Sequence, residues 1–149
     1  MSRILVLNGP NLNLLGRREP GIYGHTTLAD IEAMCAAEAE RLGLAVECRQ
    51  SNSEGELVTW IQAVPGAFDG LILNAGAYSH TSIALLDALR VLDEPLIEVH
   101  LSNIYRRETF RQHSYVSLAA NGVLCGFGPR GYLMALHAIA AILAEAASD

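Results

Sequence analysis

The sequence contains no lysine, because all ten of its basic residues are arginines. A phosphate-binding loop of the Walker A type requires a lysine, so that class of nucleotide-binding protein is excluded. Catalysis through an imine between enzyme and substrate requires a lysine amine and is excluded as well. Any reaction on this chain must therefore use other side chains.

Cysteine and charge are also scarce. The three cysteines, Cys35, Cys48 and Cys125, form no CxxC pair, which predicts reduced core thiols in a cytoplasmic protein. The apolar run near the N-terminus spans only four residues, so we expect neither a signal peptide nor a membrane span there. The formal net charge of −6 indicates that nucleic acid is not a partner.

The composition otherwise favours one folded domain that self-associates. A chain of 149 residues can bury a substantial core, and we expect residues 1–149 to form a single catalytic domain. Apolar residues make up 51% of the sequence and charged residues 17%, which is more apolar surface than a small monomer normally hides. We therefore expect a homo-oligomer.

Short apolar runs alternate with amphipathic segments along the whole chain. This order predicts an α/β fold of flavodoxin-like type, with a doubly wound, five-stranded parallel sheet in a three-layer α/β/α arrangement. The predicted strands are 4–7, 44–49, 71–73, 96–99 and 123–125, and the predicted helices are 27–42, 55–63, 81–92 and 131–147.

The predicted helix 81–92 is apolar around most of its circumference. Ile83, Leu86 and Leu89 belong to this surface, whereas Asp87 lies on a narrow polar stripe. A helix of this kind is usually covered on several sides, and a neighbouring subunit is the expected cover.

The fold predicts where a ligand would bind. In a doubly wound sheet, ligands bind beyond the carboxyl ends of the strands, near the point where the strand order reverses. Polar residues at the carboxyl ends of the predicted strands or shortly after them are Asn8, Asn11, Asn74, His80, Glu98, His100 and Ser102. We expect these side chains to converge on one edge of the sheet.

Glu98 and His100 are two residues apart on a predicted strand, so their side chains should share one face. A carboxylate in that position can fix the tautomer of the imidazole, as a general acid requires. A purely structural hydrogen bond is the alternative interpretation. No metal site is predicted, because the histidines are scattered and no HExxH occurs.

Two arginine-containing loops complete the predicted pocket. The segment 14–26 includes Arg17 and Arg18 and is expected to act as a lid, and Arg111 follows the fourth strand. Arginines at a pocket edge suit an anionic or polyhydroxylated ligand. The residues alone leave two hypotheses open: an acid/base enzyme acting on a small anionic substrate, or a phosphate- or nucleotide-binding module without catalysis.

Several ordered blocks resemble the type II 3-dehydroquinate dehydratase family. The first is NGPNLNLLGRREP followed by IYG at 22–24, and the others are 50–57, 74–82, 98–103, 111–115 and 122–132. The resemblance covers nearly the whole chain. It implies a lyase that converts 3-dehydroquinate to 3-dehydroshikimate through an enolate, with no metal or other cofactor.

The resemblance also implies catalytic roles for particular residues. Tyr23 resembles the base that removes the C2 proton, and Arg18 resembles the arginine that stabilises the tyrosinate. His100 resembles the acid that protonates the departing hydroxyl, with Glu98 behind it. Asn11 resembles the residue that stabilises the enolate oxygen through a water molecule.

Further residues resemble the family's substrate-binding set. Asn74, His80 and Arg111 resemble the residues that bind the substrate hydroxyls. Leu101 (through its backbone) and Ser102 resemble the residues that bind the substrate carboxylate. Members of the family assemble as dodecamers built from trimers. Asp87 resembles a residue that reaches into a neighbouring subunit's site. A cytoplasmic enzyme of the shikimate pathway, which leads to the aromatic amino acids, is the implied setting.

Overall fold

A five-stranded parallel sheet forms the centre of the computed structural model, which describes residues 1–17, 21 and 24–148. The strand order is β2-β1-β3-β4-β5, the order of the flavodoxin-like fold, as predicted. All strands run parallel, and the order in which successive strands are added to the sheet reverses between β1 and β3. The strands are β1 (Ser2–Asn8), β2 (Leu44–Gln50), β3 (Gly70–Asn74), β4 (Leu96–His100) and β5 (Gly122–Cys125).

Helices cover both faces of the sheet. The longer helices described are α1 (Leu28–Leu42), α2 (Glu54–Gln62), α3 (Ile83–Leu89) and α4 (Arg130–Ser148). Local sequence signals set the ends of α1. The Thr27 side chain accepts a hydrogen bond from the backbone N–H of Asp30 in a capping box, and Gly43 ends the helix at φ 73°.

The side chains of β1 show how the three layers are built. Ile4 and Val6 pack into the core on the side of α1 and α4, whereas Leu5 and Leu7 pack into the core on the side of α2 and α3. Successive strand residues point to opposite faces, so a continuous apolar run buries both. The sheet is therefore closed to solvent at its centre, and its carboxyl edge remains for a ligand.

The helix predicted over 81–92 is shorter than expected, because α3 spans only Ile83–Leu89. The Ser82 side chain caps its start by accepting a hydrogen bond from the N–H of Leu85. Leu86 and Leu89, predicted to contact a neighbouring subunit, are buried within the chain itself. Ile83 and Val91 remain exposed, by 57% and 75%, so the apolar surface left for a partner is smaller than predicted.

By length and composition alone, α4 could cross a membrane, since it is 19 residues long and a window of 18 residues within it has a mean hydropathy of 1.4. Its packing gives another explanation for the apolar sequence. Tyr132, Leu136 and Ile139 are fully buried against the sheet, where they form part of the core. The composition of α4 is that of a core helix of an α/β domain.

Candidate active site

A pocket of about 230 Å³ opens at the carboxyl edge of the sheet. It is smaller than the roughly 300–1,000 Å³ typical of sites for drug-sized ligands, so a small ligand fits it better than a nucleotide. The predicted site residues that line it are Asn11, Asn74, His80, His100, Leu101, Ser102 and Arg111. The structure thus brings together residues from the ends of β1, β3 and β4.

The pocket lies where the loops after β1 and β3 run close together. The N–H of Gly9 donates to the carbonyl of Asn74 at 2.8 Å. A Cβ atom on Gly9 would lie 2.3 Å from the carbonyl oxygen of Ala75, so only glycine fits here. This close approach fixes the floor of the pocket at the reversal of strand order.

Asn11 has an unusual backbone conformation at the pocket edge, with φ 69° and ψ −5°. Among the described residues, it is the one non-glycine residue with positive φ. Asparagine tolerates this conformation better than most residues. The Asn52 side chain supports it by accepting a hydrogen bond from the backbone N–H of Asn11 at 3.0 Å. The strained residue is thereby held in a fixed position against the pocket.

Glu98 and His100 form a buried pair behind the pocket, as their spacing predicted. Nε2 of His100 hydrogen-bonds to Oε2 of Glu98, and both residues are at most 5% exposed. Two hydroxyl groups also donate to this carboxylate: Ser114 Oγ at 2.6 Å and Ser117 Oγ at 2.5 Å. Glu98 therefore accepts hydrogen bonds from three side chains.

These partners keep Glu98 ionised. Burial by itself would raise the pKa of Glu98, but the hydrogen bond and charge of His100 and the two serine hydroxyls lower that pKa below its usual value. Since Nε2 of His100 is bound to the carboxylate, Nδ1 is the nitrogen left for the pocket. The carboxylate fixes the orientation of the imidazole, so that its Nδ1 is placed to exchange a proton with a ligand.

His80 faces the same pocket and is held by His113. Nδ1 of His80 donates to the carbonyl of His113 at 2.7 Å, and Nε2 of His113 donates to the carbonyl of His80 at 2.9 Å. Burial lowers the pKa of His80, against the opposing effect of the His113 carbonyl. A neutral ring with its proton on Nδ1 presents Nε2 as an acceptor, which suits a ligand hydroxyl.

The Asn74 side chain is held from two sides. Its Oδ1 accepts a hydrogen bond from the N–H of Gly76 at 3.2 Å, and its Nδ2 donates to the hydroxyl of Tyr132 at 2.9 Å. Asn74 is only 3% exposed. Its amide therefore has a defined orientation at the bottom of the pocket.

Two arginines give the pocket rim a positive charge. Arg107 and Arg111 both line it, and Nε of Arg111 donates to the Glu108 carboxylate at 2.8 Å. Leu101 and Ser102 lie directly after β4 on the same rim. Guanidinium groups beside hydroxyl and backbone groups suit a small carboxylic acid with several hydroxyls.

Some predicted residues lie elsewhere. Arg18 and Tyr23 fall outside the described residues. Asp87 is exposed on α3 and is not among the described residues that line this pocket. Sequence reasoning assigned no role to Ser114, Ser117 or the ring of His113, although two of them lie in the block 111–115 that carried the family resemblance.

Comparisons with known proteins identify a family for this chain. The family model for class II dehydroquinases matches residues 2–140. A 3-dehydroquinate dehydratase of Azorhizobium caulinodans is 59% identical over 137 residues, which is 92% of each chain. The 3-dehydroquinate dehydratase 1 of Agrobacterium fabrum is 58% identical over 95% of this chain and 97% of its own. The crystal structure of type II dehydroquinase from Propionibacterium acnes superposes with a TM-score of 0.92 at 48% identity, covering 95% of this chain and 97% of that one.

Proposed function

The chain belongs to the class II dehydroquinase family, and from this premise we propose that it dehydrates 3-dehydroquinate to 3-dehydroshikimate by acid/base elimination. It is an enzyme of the dehydratase class, as its close relatives are named. The alternative of a phosphate- or nucleotide-binding module is disfavoured by this membership and by the small pocket. We place the reaction in the shikimate pathway.

The first step of the proposed reaction is proton removal. The phenolate of Tyr23 takes the C2 proton of the substrate, and the electron pair moves to the C3 carbonyl oxygen to give an enolate. A tyrosine has a reference pKa of about 10, so holding it ionised near pH 7 requires roughly 4 kcal/mol of preferential stabilisation. We assign that role to the guanidinium of Arg18.

Asn11 is assigned to the enolate, which it reaches through a water molecule. Its fixed backbone conformation at the pocket edge supports the assignment, because oxyanion stabilisation depends on groups that need not move during the reaction.

The second step is loss of the C1 hydroxyl. As the enolate collapses, the C1–O bond breaks and Nδ1 of His100 gives its proton to the departing oxygen, which leaves as water. Glu98 acts from behind by stabilising the imidazolium before transfer. The buried Glu98–His100 pair facing the pocket is the observation that carries the proposal.

The remaining pocket residues are assigned to substrate binding. Asn74, His80 and Arg111 bind hydroxyl groups of the substrate ring. Asn74 supplies a hydrogen-bond donor and the neutral His80 supplies an acceptor. The backbone of Leu101 and the side chain of Ser102 receive the carboxylate, close to the positive rim.

The proposed mechanism uses no metal and no imine. The chain has no lysine, and the described residues contain no group of three or more His, Cys, Asp or Glu side chains placed to hold a metal ion. We expect 3-dehydroquinate added to the purified protein to give the ultraviolet absorbance of a conjugated enone. The rate should survive prolonged treatment with EDTA. No absorbance change would refute the function, and loss of activity restored by zinc or magnesium would refute the metal-free route.

We further propose a cytoplasmic homo-oligomer, a dodecamer built from trimers, in which Asp87 reaches a neighbouring site. Asp87 is exposed on α3 beside the exposed Ile83, and the described cysteines are free thiols. Light scattering tests the assembly, and a fully active monomer would contradict the shared site.

A further inference from the structure

A chain of buried polar groups lies on the α4 face of the sheet, beneath the pocket. The hydroxyl of Tyr132, on α4, donates to Oδ1 of Asn8 at 2.6 Å and accepts from Nδ2 of Asn74 at 2.9 Å. Tyr132 and Asn8 are fully buried, and Asn74 is 3% exposed. The chain therefore joins the carboxyl ends of β1 and β3 through one side chain of a helix.

The direction of these hydrogen bonds is determined by the backbone. The N–H of Gly76 can only donate, so the Asn74 atom facing it must be Oδ1. Nδ2 of Asn74 then points at Tyr132, whose oxygen accepts. The single hydroxyl proton of Tyr132 must go to Asn8, whose Oδ1 is the acceptor within reach. Reversing either amide would place two donors against each other or leave the hydroxyl proton without an acceptor.

The direction of these hydrogen bonds determines which group of the Asn74 side chain is available to a ligand. One N–H of its Nδ2 is used by Tyr132, and the other has no partner among the described residues. Because Asn74 lines the pocket, a fixed amide can present that N–H to a ligand. Without the Tyr132 hydroxyl, Nδ2 would lose the contact that holds the side chain in place.

We infer that Tyr132 is a positioning residue, which acts through Asn74 to hold an N–H donor toward a substrate hydroxyl. The inference rests on the proposed function, since it takes Asn74 as a substrate ligand. Tyr132 itself does not line the pocket in the described structure, so any effect on catalysis must pass through its neighbours.

Steady-state kinetics of Tyr132→Phe test the inference, because this change removes only the hydroxyl. One neutral hydrogen bond contributes about 1 kcal/mol, so KM should rise roughly fivefold to tenfold while kcat changes less than about twofold. Ile139→Val is the matched control: Ile139 is fully buried on the same helix, and its change should lower the melting temperature without raising KM.

A double-mutant cycle with Asn74→Ala separates positioning from general destabilisation. The double variant should have the KM of Asn74→Ala alone. An unchanged KM in Tyr132→Phe, or a further rise in the double variant, would overturn the inference. If Asn74→Ala leaves KM unchanged, the binding role proposed for Asn74 fails and the inference fails with it.

These outcomes are distinct from failure of the proposed function, in which the wild-type protein would produce no enone. If Tyr132→Phe does not fold, Asn8→Ala takes its place, since it leaves Oδ1 of Asn74 as the acceptor for the hydroxyl proton among the described partners of Tyr132 and so opposes the orientation in which Nδ2 donates. A KM equal to that of the wild type in Asn8→Ala would then count against the inference.

Discussion

Two buried polar clusters lie under the same pocket and differ in charge. The cluster around Glu98 has an ionised carboxylate at its centre, with His100, Ser114 and Ser117 donating to it. The cluster around Tyr132 contains only neutral groups, Asn8 and Asn74. Hydrogen bonds to charged groups contribute about 1.5–3 kcal/mol, compared with about 0.5–1.5 kcal/mol for neutral ones.

The difference follows the chemistry proposed for each end of the pocket. A charge is expensive to bury, and buried ionisable groups with shifted pKa values cluster at sites where a neighbouring group changes protonation. Glu98 lies behind the proposed acid, whereas the neutral cluster lies under a residue that only binds. Removing a side chain of the charged cluster should therefore lower kcat, whereas removing a side chain of the neutral cluster should raise KM.

The largest effect is expected from His100→Ala, which removes the proposed proton donor. General acid catalysis contributes about 10²- to 10⁴-fold, so kcat should fall by that range while KM changes little. Enone formation under saturating substrate measures it. A variant that retained a tenth of the wild-type kcat would show that another group protonates the leaving hydroxyl.

Glu98→Gln should have the next largest effect, because it keeps the size of the side chain and removes the charge. Loss of one charge-assisted hydrogen bond corresponds to roughly a tenfold to hundredfold fall in kcat. Tyr132→Phe provides the comparison, since it disturbs the neutral cluster. Equal effects of the two changes on kcat would show that the difference in charge has no catalytic meaning.

The sequence predicted the charged pair but not what surrounds it. Spacing of two residues on a strand is a local rule, and it placed Glu98 and His100 on one face correctly. Ser114 and Ser117 reach Glu98 from a later loop, 16 and 19 residues along the chain, and no periodicity encodes such contacts.

Tyr132 illustrates the same limit. It lies within the predicted helix 131–147, and it is fully buried. The two hydrogen-bond partners of its hydroxyl lie 58 and 124 residues away along the chain. These hydrogen bonds therefore depend on how the helix packs against the sheet. The fold followed from alternating patterns, whereas the polar contacts required the tertiary structure.

Acid stability should also distinguish the two clusters. The folded-state pKa of Glu98 is lowered, so its contribution to stability is present above its unfolded pKa of about 4.3 and is lost as pH falls through the folded value. Chemical denaturation from pH 6 down to about pH 3 should give a steeper loss of unfolding free energy for the wild type than for Glu98→Gln. Glu145→Gln, at an exposed position on α4, should follow the wild type. Matching slopes in wild type and Glu98→Gln would argue against an ionised Glu98.

The smallest effect is expected at the contact that joins His80 to the loop after β4. His113→Ala removes the hydrogen bond from the His113 ring to the carbonyl of His80, but it keeps the backbone carbonyl that accepts from Nδ1 of His80. The His80 ring should therefore keep its tautomer and lose only part of its restraint. His113 is exposed, so solvent can replace part of the lost contact, and KM should rise only about twofold to fivefold with kcat unchanged.

His137→Ala is the matched control for this change. His137 is an exposed histidine that pairs with Glu38 at 3.1 Å on the surface of α4, and its loss should leave KM unaltered. In a His80→Ala background, His113→Ala should add nothing to KM, because the ring through which it acts is gone. An additional rise in KM there would mean that His113 orders the whole loop, including Arg111. His113 would then affect substrate binding through the positive rim of the pocket rather than through His80.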